Sequence, residues 1–378
     1  VKIMRPMGAV GIVASAALVL AACGSDPAVG NNGSQNSSGA AAAPSGTANV
    51  DCGGKSPLSA EGSSAQKSAM DIFVMQYSKK CSGQQLNYNP SGSGAGIKQF
   101  NANQVDFAGS DSPLKDGDEA NAAKARCSSE AWNLPLVVGP VAVAFKLQGV
   151  DKLVLTPEVT AKIFNGAIKN WNDPAIKAVK GNETVNLPDK PIQVVSRSDE
   201  SGTTDNFQKY LKAASKGAWT QGDGKQFKGG VGNGAEKSNG VINAVKSSDG
   251  AITYVEAAFA KDGVTAAQID SGSGAVALTP ENVAKSLDAA AFKKPGTNDL
   301  ALDLDKIYAS NTPGAYPLLL TTYEIVCSKY ADPNVSKAVK AFLATAATDG
   351  QQPLSDKGYV PIPQSLQDKV LTSVKAIA

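Results

Sequence analysis

The stretch from Pro191 to Leu211, P-I-Q-V-V-S-R-S-D-E-S-G-T-T-D-N-F-Q-K-Y-L, places the narrowest limits on how this chain folds. Ile192, Val194 and Val195 form a short β-branched run opened by proline, which predicts a strand. Phe207, Tyr210, Leu211 and Ala214 recur at helical spacing, which predicts a helix. The loop between them carries Arg197, Asp199, Ser201, Gly202 and Thr203 and enters the helix at its N-terminus. Free backbone N–H groups and the positive end of the helix dipole make such a terminus an anion site. Ser201 and Thr203 add hydroxyl donors, Gly202 allows close approach, and Arg197 offers a planar fork to an oxyanion. Asp199 is the odd member: beside an anion it either orients the arginine or accepts a proton. A capped helix with a surface Arg–Asp pair has the same spacing, so this stretch alone leaves both readings open.

Two further stretches repeat the device. Glu61 is followed by G-S-S-A-Q and a helix whose apolar face is Met70, Phe73, Val74 and Tyr77, with Ser63 or Ser64 as its N-cap. A strand at Leu86 and Tyr88 runs into Ser91-Gly92-Ser93-Gly94-Ala95-Gly96 and a short helix carrying Ile97 and Phe100. Val105-Asp106-Phe107 then reads as a strand ending in Ala108-Gly109-Ser110-Asp111-Ser112-Pro113. The Ser/Gly run resembles a dinucleotide loop, with Asp111 near ribose-binding distance, but its spacing is G-x-G-x-G and its hydroxyls suit a small oxyanion better.

Later segments keep strands alternating with helices. Leu134 to Leu147 is an apolar run broken at Pro140, a crossing between domains, and Thr156-Pro157-Glu158 starts a helix. Strands are predicted at Ala251–Val255 and Pro317–Val326, and helices at Val335–Ala346 and Lys369–Ile377. The pattern is α/β, and 378 residues hold two ordinary domains. The chain has no histidine, which excludes Ser–His or Cys–His catalysis and histidine-based zinc sites. A net charge of +2 gives no basic field for nucleic acid.

At the N-terminal end, Lys2 and Arg5 precede an apolar run from Gly8 to Ala22 that ends in Leu20-Ala21-Ala22-Cys23. This is the pattern of a secretory signal with a lipobox, in which Cys23 is lipidated and becomes the mature N-terminus. Residues 24–50 hold one charged residue, Asp26, and no aromatics, so they form a flexible tether. Cys52, Cys81, Cys127 and Cys327 remain, an even count that implies two disulfides in an exported chain, with three connectivities open.

Six ordered blocks, G-S-S-A-Q, S-G-S-G-A-G-I-K-Q-F, V-D-F-A-G-S-D-S-P-L, I-F-N-G-A-I-K-N-W-N-D-P-A-I, S-R-S-D-E-S-G-T-T and G-A-I-T-Y-V-E, resemble those of phosphate-binding proteins of bacterial phosphate ABC importers over roughly residues 57–378. The resemblance implies a type II periplasmic-binding-protein fold, two α/β lobes joined by two crossing strands with the ligand in the cleft. Its first-lobe ligands would be Ser64 with the backbone of Ala65, Ser93 and Asp111. Its second-lobe ligands would be Arg197, Asp199, Ser201, Gly202 and Thr203. Two departures stand out: Ser64-Ala65 where the family often has threonine then phenylalanine, and Glu200 where glycine is common, which should point away from the anion. Asp111 is the informative residue, because a carboxylate accepts a hydrogen bond only from an anion that carries a proton, as hydrogen phosphate does and sulfate does not.

The expected organisation is a signal and lipobox over 1–23, a tether over 24–50, lobe I over 51–139 and 314–378, and lobe II over 140–313. With that layout the favoured disulfides are Cys52–Cys81, a local pair, and Cys127–Cys327, which ties the first lobe to its C-terminal return. The implied function is a monomeric, non-enzymatic phosphate receptor without metal or cofactor. It would be lipid-anchored on the outer face of the cytoplasmic membrane and deliver phosphate to a permease. A sulfate or molybdate receptor and a phosphatase-like enzyme using Ser201 are the alternatives. With no histidine and no clustered metal ligands there is no base for that serine. Cys23→Ser should release the protein from membranes on fractionation, and a variant that stays membrane-bound like the wild type would refute the anchor.

Overall fold

The computed structural model describes residues 50–287 and 291–378, so the signal, Cys23 and the tether up to residue 49 lie outside the described residues. The chain begins with β1 (Leu58–Gly62), α1 (Lys67–Lys80), β2 (Leu86–Asn89), α2 (Ser93–Asn101), β3 (Phe107–Ser110) and α3 (Asp118–Cys127). The long strand β4 (Ala131–Lys146) follows, then β5 (Val154–Leu155), α4 (Pro157–Phe164) and α5 (Pro174–Lys177). Next come β6 (Gln193–Arg197), α6 (Gly202–Ala214), β7 (Asn233–Ala235), α7 (Lys237–Ser247) and β8 (Ala251–Glu256). Short pieces β9 (Thr265–Ala266), β10 (Gln268–Asp270), β11 (Ala275–Val276), α8 (Pro280–Leu287), β12 (Ala291–Phe292), β13 (Leu302–Asp303) and α9 (Asp305–Tyr308) precede β14 (Leu319–Cys327). Two helices, α10 (Pro333–Ala347) and α11 (Gln364–Ala376), close the chain.

The principal sheet runs β2-β1-β3-β14-β4-β8-β6-β7. Strands β1, β2 and β3 are mutually parallel at one end, and β6, β7 and β8 at the other. Between them β14 and β4 run antiparallel to their neighbours. The 16 residues of β4 serve both ends: Ala131–Pro140 pair with β14, and Val141–Lys146 pair with β8. The apolar run is therefore continuous through Pro140, not broken there. Proline is tolerated mid-strand because the pairing partner changes at that residue, and the register shift beside Pro135 absorbs the second proline.

Helices cover both ends of the sheet. Phe342 of α10 meets Tyr77 edge-on at 5.5 Å and stacks on Phe107 at 5.3 Å. At the other end Phe207 of α6 stacks on Tyr254 at 4.4 Å and meets Phe164 at 4.8 Å. The β12–β13 hairpin docks near the start of β4, where Asn133 donates to Asp299 at 2.8 Å through its side chain and 3.0 Å through its backbone. Thr156 caps α4 as its sequence predicts, accepting from Val159 N–H at 3.2 Å. Helix α1 differs: it begins at Lys67 after Gln66, with no side-chain cap, so neither Ser63 nor Ser64 caps it. Their hydroxyls are engaged elsewhere.

The disulfides are Cys52–Cys81 and Cys127–Cys327, closing spans of 29 and 200 residues. Chain entropy assigns about 4 kcal/mol to the shorter loop and about 5 kcal/mol to the longer. Urea unfolding should show a larger loss for Cys127→Ser with Cys327→Ser than for Cys52→Ser with Cys81→Ser. The reverse order would show that the long bridge does not constrain the unfolded chain.

Candidate functional site

Parallel strands leave their carboxyl ends pointing at one crevice, and ligands bind there in open α/β sheets. Ser63–Ala65 follow β1, Ser93 opens α2 just after β2, and Asp111 follows β3. From the other end of the sheet, Arg197 closes β6, Ser201–Thr203 open α6, Ser238 lies at the start of α7, and Glu256 closes β8. The two sets face each other. Ser64 and Ser238 hydroxyls are 3.0 Å apart, Asn206 donates to the Asp111 carbonyl at 2.7 Å, and Ser112 donates to Asp205 at 2.6 Å.

Asp111 is 2% exposed and sits at the centre. Its carboxylate accepts from Ser63 at 2.5 Å, Thr322 at 2.8 Å and Ser93 at 3.0 Å. Burial and then the charge of Glu256 push its pKa up to about 6, against the pull of those three hydroxyls. At neutral pH it remains an acceptor.

Arg197, 4% exposed, is gripped by Asp199: Nε donates to Oδ1 at 2.7 Å and Nη2 to Oδ2 at 2.5 Å. Nη1 reaches Ser238 at 3.4 Å, and Lys237 N–H adds a third bond to Asp199 at 2.9 Å. Burial works against the charge on Arg197, but Asp199 outweighs it and holds the guanidinium above its ordinary value. Burial likewise opposes the Asp199 charge, and Arg197 brings that carboxylate below the usual range. The bidentate pair fixes the arginine and cancels its charge.

Ser201 caps α6, its hydroxyl accepting from Thr204 N–H at 3.3 Å. Gly202 and Thr203 then present first-turn N–H groups that have no intrahelical acceptor. A side chain at Gly202 would meet Asp111 Cβ at 2.6 Å and Ser93 Oγ at 2.7 Å. Ser64 accepts from Ser238 N–H at 3.2 Å, Ala65 N–H donates to Ser63 at 3.0 Å, and the Thr203 hydroxyl donates to Glu256. All nine residues singled out in the sequence thus lie in one cleft. Glu200 turns away, pairing with Lys98 at 2.8 Å.

The chain matches the PBP superfamily domain over residues 24–349. It is 50% identical over 380 residues to phosphate-binding protein PstS 3 of Mycobacterium tuberculosis, covering 100% of both chains. Identity to phosphate-binding protein PstS 2 of the same organism is 46% over 381 residues, again covering 100% of both. The chain belongs to the PstS family of phosphate-binding proteins. Its fold matches that of a phosphate-binding protein from Stenotrophomonas maltophilia with a TM-score of 0.65 at 20% identity, covering 84% of this chain and 94% of that one.

Within this PstS fold the structure adds four polar residues that the sequence does not assign to the site: Ser63, Ser238, Glu256 and Thr322. Ser63 and Glu256 stand inside motifs already recognised, and Ser238 opens a helix after a glycine-rich run, a signal of the same kind as Ser93. Thr322 gives no local signal, because it lies within an apolar strand and meets Asp111 across 211 residues of chain.

Behind the cleft lies Glu324, fully buried on β14, with both carboxyl oxygens lacking partners. Burial, with Asp111 adding its charge and Gln66 working the other way, pushes it up to about 8. A carboxyl raised in the folded state stabilises fully below its unfolded pKa, and that contribution is lost as pH rises through the folded value. The ligand-free protein should therefore lose about 3 kcal/mol from Glu324 between about pH 6 and about pH 9. Glu324→Gln should remove most of this loss in urea titrations, and an unchanged loss would show that Glu324 does not hold the proton.

Proposed function

We propose that this chain is the extracytoplasmic receptor of a phosphate ABC importer, capturing inorganic phosphate between two lobes and passing it to the permease subunits. Membership of the PstS family supports the reading, and the observation that carries it is Asp111. A buried carboxylate set against the N-terminus of α6 suits an anion that donates a proton, and suits poorly one that cannot. The shell is Ser64, the Ala65 backbone, Ser93 and Asp111 on one side, with Arg197, Ser201, Gly202 and Thr203 on the other. Asp199 serves by holding Arg197.

The lobes are residues 51–139 with 314–378, and residues 140–313. The β12–β13 hairpin belongs to the second range by sequence but docks on Asn133 of the first. Cys23 anchors the receptor by lipid to the outer face of the cytoplasmic membrane, and the tether lets it reach the permease. Ser201 is no nucleophile here, since its hydroxyl caps α6 and among the described residues no base is hydrogen-bonded to it.

Phosphate and sulfate share shape and charge, so pocket size does not separate them. Sulfate sets a bare oxygen against Asp111, which costs about 3–6 kcal/mol in unpaired acceptors and repulsion, or about 10²- to 10⁴-fold in affinity. Calorimetry on ligand-stripped protein should show that preference, and Asp111→Asn, whose amide can donate, should narrow it. Sulfate bound within about tenfold of phosphate by the wild type, or an unchanged ratio in the variant, would sink the assignment.

A further inference from the structure

One carboxylate in the cleft is left over once Asp111 and the Arg197–Asp199 pair have been assigned. Glu256 closes β8 and is 1% exposed. Its Oε1 accepts from the Thr203 hydroxyl, while Oε2 is buried without a partner. Among the described residues no lysine or arginine forms an ion pair with it, and the charge of Arg197 is already balanced by Asp199. The titratable and charged groups around it are Asp111 after β3, Arg197 and Asp199 at the end of β6, Tyr254 on its own strand, and Tyr359 before α11. The helix facing it is α6, which offers the Thr203 hydroxyl, while apolar Val241, Ile242 and Val245 of α7 pack on Val255 at the opposite face of the strand. Asp199 cancels Arg197, so Asp111 and Glu256 face the anion space without a counter-charge.

We propose that Glu256 is a second proton acceptor of the phosphate site, so that the bound anion carries two hydrogens, one directed at Asp111 and the other at Glu256. The proposal rests on reading the cleft as a phosphate site and specifies which ionic form that site takes. Hydrogen phosphate has one P–OH group and satisfies one carboxylate; against the other it would set a bare, negatively charged oxygen in a site closed to water. A second hydrogen removes that repulsion and gives Oε2 the donor it lacks. The balance is simple: above the second ionisation of phosphate, hydrogen phosphate and one proton from the buffer enter together, and no covalent bond between heavy atoms changes. At lower pH dihydrogen phosphate enters as it is.

Proton-linked binding is measurable. Inorganic phosphate is titrated calorimetrically into stripped wild-type protein near pH 8.5, in two buffers of different ionisation enthalpy, and the affinity is followed over about one further pH unit. The wild type should take up about one proton per phosphate bound, and its Kd should rise about tenfold per pH unit. In Glu256→Gln the amide donates to the phosphate oxygen directly, so uptake should vanish and Kd should change less than about threefold over the same interval. A role confined to holding Thr203 would alter stability but leave the proton count as it is. Wild-type binding without proton uptake overturns the proposal, even where the variant does not fold. Uptake that persists in Glu256→Gln overturns it too, placing the proton on another group such as Glu324. Failure of the wild type to bind phosphate at all is a distinct result, and sinks the receptor reading itself.

Discussion

The cleft depends on how a single carboxylate is held. Asp111 receives hydroxyl hydrogen bonds from three segments separated from it by 48, 18 and 211 residues. Its position is therefore defined only when β1, α2 and β14 have all assembled around β3. Three such donors ordinarily draw a carboxyl pKa down, yet that of Asp111 is raised to about 6. Burial and the neighbouring Glu256 outweigh the hydroxyls, leaving an acceptor that is ionised at neutral pH and, with three donors, has room for one more. Such a group favours a ligand that brings its own hydrogen.

The opposing walls come close because small residues stand where they meet. Gly92 adopts φ +109°, and a side chain there would meet the Asp199 carboxylate at 2.6 Å. At Gly94 a side chain would run into Glu200, whose carbonyl accepts the Gly94 N–H at 3.0 Å. This contact explains how glutamate is accommodated at position 200, where the resemblance leads one to expect glycine. Gly94 leaves room for its Cβ, and Lys98, one turn further along α2, takes its charge. The pair joins the two walls at the rim of the cleft, and Lys225–Glu119 does the same at 2.8 Å in the opposite sense of charge.

Much of this was legible in the chain, and the exceptions have physical causes. β-branched runs and helical apolar spacing placed the alternating elements, and hydroxyl–glycine clusters marked three of the strand ends that build the site. Pro140 misled, because proline argues against a central strand unless the pairing partner changes there, and a partner change is a property of the whole sheet. Ser63 misled as a helix cap, since its hydroxyl prefers a buried carboxylate 48 residues away. Thr322 carries no local signal because it interrupts an apolar run, and Glu256, although it closes a recognised block, ends an apolar strand whose sequence does not say what it meets. Only the fold shows that both flank the same carboxylate. The family resemblance carried the nine-residue shell, and those nine residues do converge, but it said nothing of Glu324 behind them.

Long-range electrostatics cannot be the source of selectivity in such a cleft. A neighbouring cavity of about 790 Å³, which reaches Ser112, Glu200 and Asp205, is lined by seven lysines and six carboxylates, and most of these lysines are already paired with acids. The formal net charge of the chain is only +2. Beyond about 8 Å, physiological salt screens what field remains, so anions of equal charge approach alike. Discrimination must then arise at hydrogen-bond distance, where phosphate and sulfate differ only in their hydrogens. Excess cations in the pocket would hold any oxyanion and blunt that difference. On the proposed reading Arg197, the one buried arginine among the described residues and neutralised by Asp199, would avoid this: it would orient an oxyanion without rewarding charge as such and leave the carboxylates to decide which anion stays.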